Sequence, residues 1–268
     1  MFEEHVYVVL GGGDMPAVSK AFLHMKGHNG ISPCRLCSIL SVCAHRVPGQ
    51  KGPSTYYCPL HRPSGFPPPD EYDPLDLPFR TDSQFRCQAQ KIASAPTNVE
   101  AERLARLYGI KSLPLLGHID SLFLPRSFPY DFMHLMENLM ENMVSRWTGS
   151  FKAFGAGAGE YEITKPVWER IGETTLNLNK TIPSAFGRRL MNIAEDRSYF
   201  TAEAWLVWTT LLAPELLQGR LETRFYNHTL QLVDLIRRTM SFDYTYEELR
   251  ELRNGWAEWV QNYERCVI

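Results

Sequence analysis

The chain has 268 residues, of which 44% are hydrophobic and 22% are charged. This length suits one large domain or two small ones, and the composition is sufficient for a buried core. No apolar run approaches the roughly 18 residues of a transmembrane helix, and Glu3 and Glu4 stand where a secretion signal carries basic residues. Six cysteines do not make a disulfide framework, which predicts a reducing, intracellular compartment. A net charge of −2 argues against a free-standing nucleic-acid binder, so any such contact has to be local.

The N-terminal segment reads as a strand followed by a carboxylate. The apolar run His5–Leu10 predicts a buried β-strand, and three glycines then lead to Asp14. A carboxylate at a strand end is where an open α/β sheet presents catalytic groups. A second short strand is predicted at Thr55–Cys58.

The remaining elements predict an α/β chain with a helical majority. Residues 62–79 hold six prolines and form an extended loop, and Thr97 with Glu100 forms a capping box that starts a helix ending near Tyr108. Residues 121–124 are a candidate strand. Helices are expected at residues 131–147, 165–177, 201–217, 220–240 and 246–264, the last with a capping box at its start. These patterns divide the chain into segments 1–61, 62–129 and 130–268.

Two pairs of metal-binding residue types stand twenty residues apart. Cys34 and Cys37 form the first pair, and Cys58 and His61 form the second. Thiolates and imidazoles at this spacing can close a tetrahedral zinc site, although small core residues produce the same pattern. His134 is a rival partner for the two cysteines.

Three carboxylates are candidates for a second metal site. Asp131 starts a helix, where an N-cap is the simplest explanation, yet with His134 one turn later it can also hold a metal. Glu203 lies in the first turn of an apolar helix, where the helix dipole favours a negative charge. Asp14 and Glu203 are distant in sequence but could share divalent cations, as in two-metal phosphoryl-transfer sites.

Five blocks of sequence together resemble the CACTA (En/Spm-type) DNA transposases, particularly those of fungal genomes. They occur in order along the chain, at Gly13–Ala17, Lys26–Cys37, Ser127–Leu135, Ile182–Gly187 and Asp196–Trp205. The resemblance implies a partial RNase H-like core, with the cysteine pair in an inserted zinc loop and a helical C-terminal half. It also implies a DNA partner and a nuclear location, while the lack of a long apolar run predicts no membrane contact. Oligomerisation is left open.

The resemblance further implies DDE/D chemistry, in which three carboxylates bind two Mg²⁺ or Mn²⁺ ions and DNA is cut and joined. By position Asp14 resembles the second carboxylate and Glu203 the third, with Asp131 as an alternative. The related V(D)J recombinase has a zinc-binding cysteine pair about as far after its second aspartate. The first carboxylate has no counterpart in this sequence, which predicts a truncated, catalytically incomplete transposase. The competing hypothesis is a non-enzymatic, zinc-stabilised module that binds DNA or protein.

Overall fold

The computed structural model describes residues 7–27, 30–44, 55–151, 159–183, 185, 187 and 189–267. The chain divides into two compact units, Met1–Asp131 and Phe132–Ile268. Helices dominate the described residues, so the predicted helical majority is confirmed. The first unit contains both the predicted segment 1–61 and the predicted segment 62–129.

Short elements make up the first unit. In chain order they are a π-helical turn at Ala17–Phe22, strand β1 at Val42–Ala44, strand β2 at Thr55–Tyr57, helix α1 at Asp82–Ala93, helix α2 at Asn98–Tyr108 and a 3-10 turn at Leu115–His118. The two strands pair antiparallel, with Val42 opposite Tyr57, which confirms the predicted strand near residue 55. Their hairpin is the only sheet among the described residues. The core of the unit forms between the helices and the turns, around Phe85, Ala105 and Phe128.

Two predicted strands are wrong. The predicted strand at residues 5–10 begins outside the described residues, and residues 7–10 are extended but belong to no ladder. Tyr7, Val9 and Leu10 are each about two-thirds exposed, at 70%, 65% and 66%. Val8 bonds through its N–H and its carbonyl to the hydroxyl of Ser121, so a side chain takes the place of a strand. Residues 121–124 form turns that send two leucines into the core.

Longer helices build the second unit. They are α3 at Phe132–Trp147, α4 at Lys165–Leu178, α5 at Ala202–Val207, a π-helical segment at Trp208–Leu212, α6 at Ala213–Leu217, α7 at Thr223–Thr239 and α8 at Tyr246–Val267. A 3-10 turn at Arg197–Tyr199 precedes α5. The predicted helix at 201–217 is therefore three consecutive segments, and the other helices of this unit lie within a few residues of their predicted bounds. None of the described helices is long and apolar enough to cross a membrane.

Buried tryptophans form the centre of the second unit. Trp205 and Trp208 are almost completely buried, and the Trp208 indole N–H donates to the Thr175 hydroxyl at 3.1 Å. This bond satisfies the one polar atom of the indole while its rings contribute apolar area to the core. Because Thr175 lies on α4, the contact fixes that helix against the start of the π-helical segment.

Candidate metal centre

The Cys34–Cys37 turn is attached to the segment that leads into α1. Cys37 forms a β-bridge with Phe79, and the Arg80 N–H donates to the Leu36 carbonyl at 2.8 Å. The Ser38 N–H donates to the Pro78 carbonyl at the same distance. Backbone bonds therefore fix the turn that carries both thiols, even though β1 and β2 lie elsewhere in the unit.

The side chain of Arg80 organises this turn from within the protein. Its exposure is 2%, and its Nε donates to the carbonyl oxygens of Cys34 at 3.1 Å and Cys37 at 3.2 Å. Its Nη2 donates to the Ser32 carbonyl and hydroxyl, at 3.0 and 2.9 Å. One planar guanidinium therefore holds three points of the segment 32–37, a geometry that a lysine ammonium could not reproduce.

The two thiols lie together and ionise differently. Cys34 and Cys37 share a side-chain hydrogen bond, and the Cys34 sulfur lies 3.5 Å from the Tyr130 hydroxyl. Hydrogen bonds from Cys37 and then from Tyr130 lower the pKa of Cys34 to about 5, although burial opposes the shift. The pKa of Cys37 is raised because its thiol donates to Cys34 and because it is buried. The pair therefore carries one thiolate at neutral pH, the form that binds metals.

Cys58 lies within electrostatic range of this pair. Burial, and then the negative charge of Cys34, raise the pKa of the Cys58 thiol to about 11, while Arg62 opposes the shift. Its predicted companion, His61, is exposed and forms a β-bridge with Glu71. The rival partner His134 belongs to α3 in the second unit. Among the described residues, no three His, Cys, Asp or Glu side chains converge closely enough to hold a metal ion.

Two of the residues present, Cys34 and Cys37, are nevertheless suitable as zinc ligands. Zinc is a borderline-soft ion that binds thiolates, commonly from two cysteines separated by two residues. The structure places Cys34 and Cys37 in contact, with one sulfur already biased toward the thiolate. A zinc ion would therefore find two sulfur donors in place and would contribute folding energy by joining the turn to its remaining ligands.

The predicted catalytic carboxylates occupy helix starts. Asp14 is exposed, and its Oδ1 accepts a 2.6 Å hydrogen bond from the Ala17 N–H, so it caps the first helical turn instead of ending a strand. Glu203 is exposed in the first turn of α5, beside Gly187 and after the N-cap Thr201. Asp14 belongs to the first unit and Glu203 to the second, so their convergence stays a prediction. Asp131 directly precedes α3 and is half-buried.

Sequence reasoning missed Arg35, the residue between the two cysteines. Arg35 is 2% exposed, and its guanidinium lies 4.1 Å over the Tyr130 ring and donates through Nη2 to the Pro129 carbonyl at 2.7 Å. Its Nε and Nη1 are buried without a hydrogen-bond partner. An arginine inside a cysteine pair is visible in the sequence, but nothing local indicates that its side chain turns inward. Arg80 gives even less signal, because it lies more than forty residues away.

Comparisons with protein-family models, with curated proteins and with solved structures found no match.

Proposed function

We propose that this chain derives from a CACTA-type DNA transposase and acts as a zinc-stabilised binding module. In this proposal Asp14 and Glu203, with Asp131 as the alternative, are remnants of a Mg²⁺- or Mn²⁺-dependent DNA-cleavage site in a partial RNase H-like core. Cys34 and Cys37 hold a structural zinc ion. The partner is DNA, and the location is the nucleus, both of which the sequence resemblance suggests.

The main support for the proposal is the environment of the two thiols in the Cys34–Cys37 turn. Two thiols in contact, a thiol pKa lowered to about 5 and a buried arginine bonded to both cysteine carbonyls are the features of a prepared metal-binding turn. A pair of ordinary core cysteines requires none of these features. Support from the sequence is the order of the five transposase-like blocks along the chain.

Binding is favoured over catalysis by the surroundings of the carboxylates. Two-metal catalysis needs metal ions about 4 Å apart between several acidic ligands. Asp14 is exposed and occupied as a helix cap, and Glu203 is exposed in the first turn of α5. Such an arrangement leaves an attacking water without a fixed position, which costs orders of magnitude in rate.

The first experiment measures metal in the purified full chain. We expect about one zinc ion per chain by elemental analysis, lost in Cys34→Ser and Cys37→Ser and retained in Cys87→Ser, because Cys87 is an exposed cysteine of α1. Wild-type protein without zinc, or zinc that persists in both pair variants, would contradict the proposed module.

The second experiment separates binding from catalysis. Binding to DNA is followed by fluorescence anisotropy at two salt concentrations, because contacts to phosphates weaken as salt rises. Strand transfer of transposon-end DNA is assayed with Mg²⁺ and with Mn²⁺ in parallel. We expect salt-sensitive binding without strand transfer. Strand transfer that disappears in Asp14→Ala would show instead that the chain is an active transposase.

A further inference from the structure

Three arginines of the first unit are buried, and none of them pairs with an acidic side chain among the residues that the structure describes. Arg35, Arg62 and Arg80 are 2%, 4% and 2% exposed. The buried polar residues described in this unit include no aspartate and no glutamate, and none of its recorded ion pairs involves these arginines. The Cys34 thiolate supplies one negative charge that acts on Arg35 and Arg80. A buried charge without a full counter-charge costs several kcal/mol, so further negative charge is expected near the three arginines.

Each of these arginines lies beside a cysteine of the candidate centre. Arg80 bonds to the carbonyls of Cys34 and Cys37, and Arg35 immediately follows Cys34 in the chain. Arg62 is four residues after Cys58 and packs against the Pro-rich loop, where it donates to the carbonyls of Pro67 and Pro69. Positive charge is therefore placed at both cysteine-bearing segments of the unit.

Several of their N–H groups remain without an acceptor. The Nε and Nη1 of Arg35 and the Nε of Arg62 are buried and unpaired. An unsatisfied buried donor costs about 1–3 kcal/mol, and each such group in a native protein calls for an explanation such as an ion. Cysteine thiolates near these arginines would supply negative charge, and their sulfur atoms would accept hydrogen bonds from the unpaired N–H groups.

We propose that Cys34, Cys37 and Cys58 bind one Zn²⁺ ion as three thiolates, and that Arg35, Arg62 and Arg80 are positioning residues that stabilise this anionic cluster. The inference rests on the proposed zinc module and adds its third ligand and its counter-charge. Because no three metal-ligating side chains converge among the described residues, metal binding has to draw Cys58 toward the other two sulfurs.

Charge decides between Cys58 and the histidine candidates. Zinc with two thiolates is neutral, and it stays neutral if His61 or His134 completes the set, because imidazole binds as an uncharged ligand. Only a third thiolate makes the cluster negative. Three buried guanidinium groups that pair with no carboxylate of the described residues are stabilised by a negative cluster, gain less from a neutral one and would repel a positive one.

The number of thiolates is tested with Co²⁺ in place of zinc in the full chain. Sulfur-to-cobalt charge transfer reports the coordinating thiolates, so we expect Cys58→Ser to reduce this absorption by about one third, from three sulfurs to two. His61→Ala and His134→Ala should leave it unchanged. An undiminished band in Cys58→Ser would overturn the third ligand while leaving a zinc site at Cys34 and Cys37 intact.

The role of the arginines is tested by zinc affinity in competition with a chelator. We expect Arg35→Met to weaken zinc binding by about 10- to 100-fold, as loss of an outer-shell partner does, and to move half-release of zinc to higher pH. Arg35→Lys, which keeps the charge, should recover most of the affinity. Arg62→Met provides a second variant in case Arg35→Met does not fold, and Arg103→Met, which removes an exposed partner of Glu100, is the control.

The outcomes separate this inference from the proposed function. Wild-type protein that binds no zinc would overturn both. Zinc affinity that is unchanged in Arg35→Met and Arg62→Met, with only the stability of the metal-free protein reduced, would make the arginines ordinary packing residues and overturn the inference alone.

Discussion

His228 and Trp259 hold helices α7 and α8 together through a reciprocal pair of hydrogen bonds. The Nε2 of His228 lies 3.0 Å from the Trp259 carbonyl, and the Trp259 indole N–H donates to the His228 carbonyl at 3.1 Å. Their rings stack with centroids 4.7 Å apart and an interplanar angle of 8°. Because a carbonyl only accepts, the neutral histidine carries its proton on Nε2.

This pair predicts an acid-sensitive second unit. Burial lowers the pKa of His228 below its ordinary value of about 6.5, although the hydrogen bond to the Trp259 carbonyl opposes the shift. Unfolded chains therefore bind more protons than folded ones as the pH falls below about 6.5. We expect the contribution of His228 to stability to be complete above that pH and to decline as the pH drops toward the folded-state pKa.

Urea unfolding at pH 8 and at pH 5, followed by tryptophan fluorescence, measures this effect. His228→Gln retains an N–H donor without a titrating ring, so its unfolding free energy should fall less between the two pH values. Equal losses in the variant and the wild type would assign the acid sensitivity to other groups.

Substitution of Gly109 is expected to destabilise the protein more than substitution of Gly27. Gly109 ends α2 with φ of +72°, and a Cβ there would clash with the Ser32 carbonyl oxygen, which also accepts from Arg80. Gly27 has a similar φ of +62° but open space around its Cβ position. We expect Gly27→Ala to cost about 1–2 kcal/mol from the left-handed backbone alone, and Gly109→Ala to cost clearly more.

Chemical denaturation of both glycine variants provides the measurement, and zinc content is determined in parallel. Because the clash displaces Ser32 next to the cysteine turn, Gly109→Ala should also lose zinc, whereas Gly27→Ala should keep it. Equal destabilisation by the two variants would show that the chain around Ser32 moves away without cost.

Local signals predicted the helices well, because a helix start is encoded within four residues. At the start of α2 the Thr97 hydroxyl oxygen accepts from the Glu100 N–H, which is one half of the expected capping box. At the start of α8 both bonds of the expected box form between Thr245 and Glu248. Helix α1 was missed although Thr81 and Gln84 form the same kind of box. Its sequence is polar. Its buried residues Phe85, Ala89 and Ile92 have helical spacing, but only two of them are large and apolar, so the periodic signal is weak.

Structural features that depend on residues far apart in the sequence could not be predicted from it. The apolar residues 7–10 have the composition of a buried strand, but burial requires a neighbouring strand, and composition does not say whether one exists. The contact between Cys34 and Cys37 followed from their spacing. The buried positions of Arg35 and Arg80 could not be predicted from the sequence. Arg80 contacts the turn from a segment more than forty residues away, and no local pattern distinguishes it from a surface arginine.

The thiol pair predicts selective alkylation of the metal-free protein. Since the pKa of Cys34 is lowered to about 5 and that of Cys58 is raised to about 11, Cys34 is the one of these two that is largely a thiolate at pH 6.5. After chelation, iodoacetamide should modify Cys34 before Cys37 and Cys58, as measured by peptide mass spectrometry. Tyr130→Phe removes a hydrogen bond that lowers the pKa and should slow this reaction. Faster labelling of Cys58 than of Cys34 would contradict the assignment.

Asp14 provides a test that separates a helix cap from a catalytic acid. Its Oδ1 accepts from the Ala17 N–H at 2.6 Å, an interaction that asparagine reproduces and alanine does not. As a cap, Asp14→Ala should lower the unfolding free energy by about 1 kcal/mol, while Asp14→Asn should stay close to the wild type. A ligand of Mg²⁺ needs the carboxylate charge, so a catalytic role would make both variants equally inactive in DNA cleavage. We expect the stability difference between the two variants and no cleavage activity to lose, because a single exposed carboxylate that is already bonded to the backbone does not fix two metal ions.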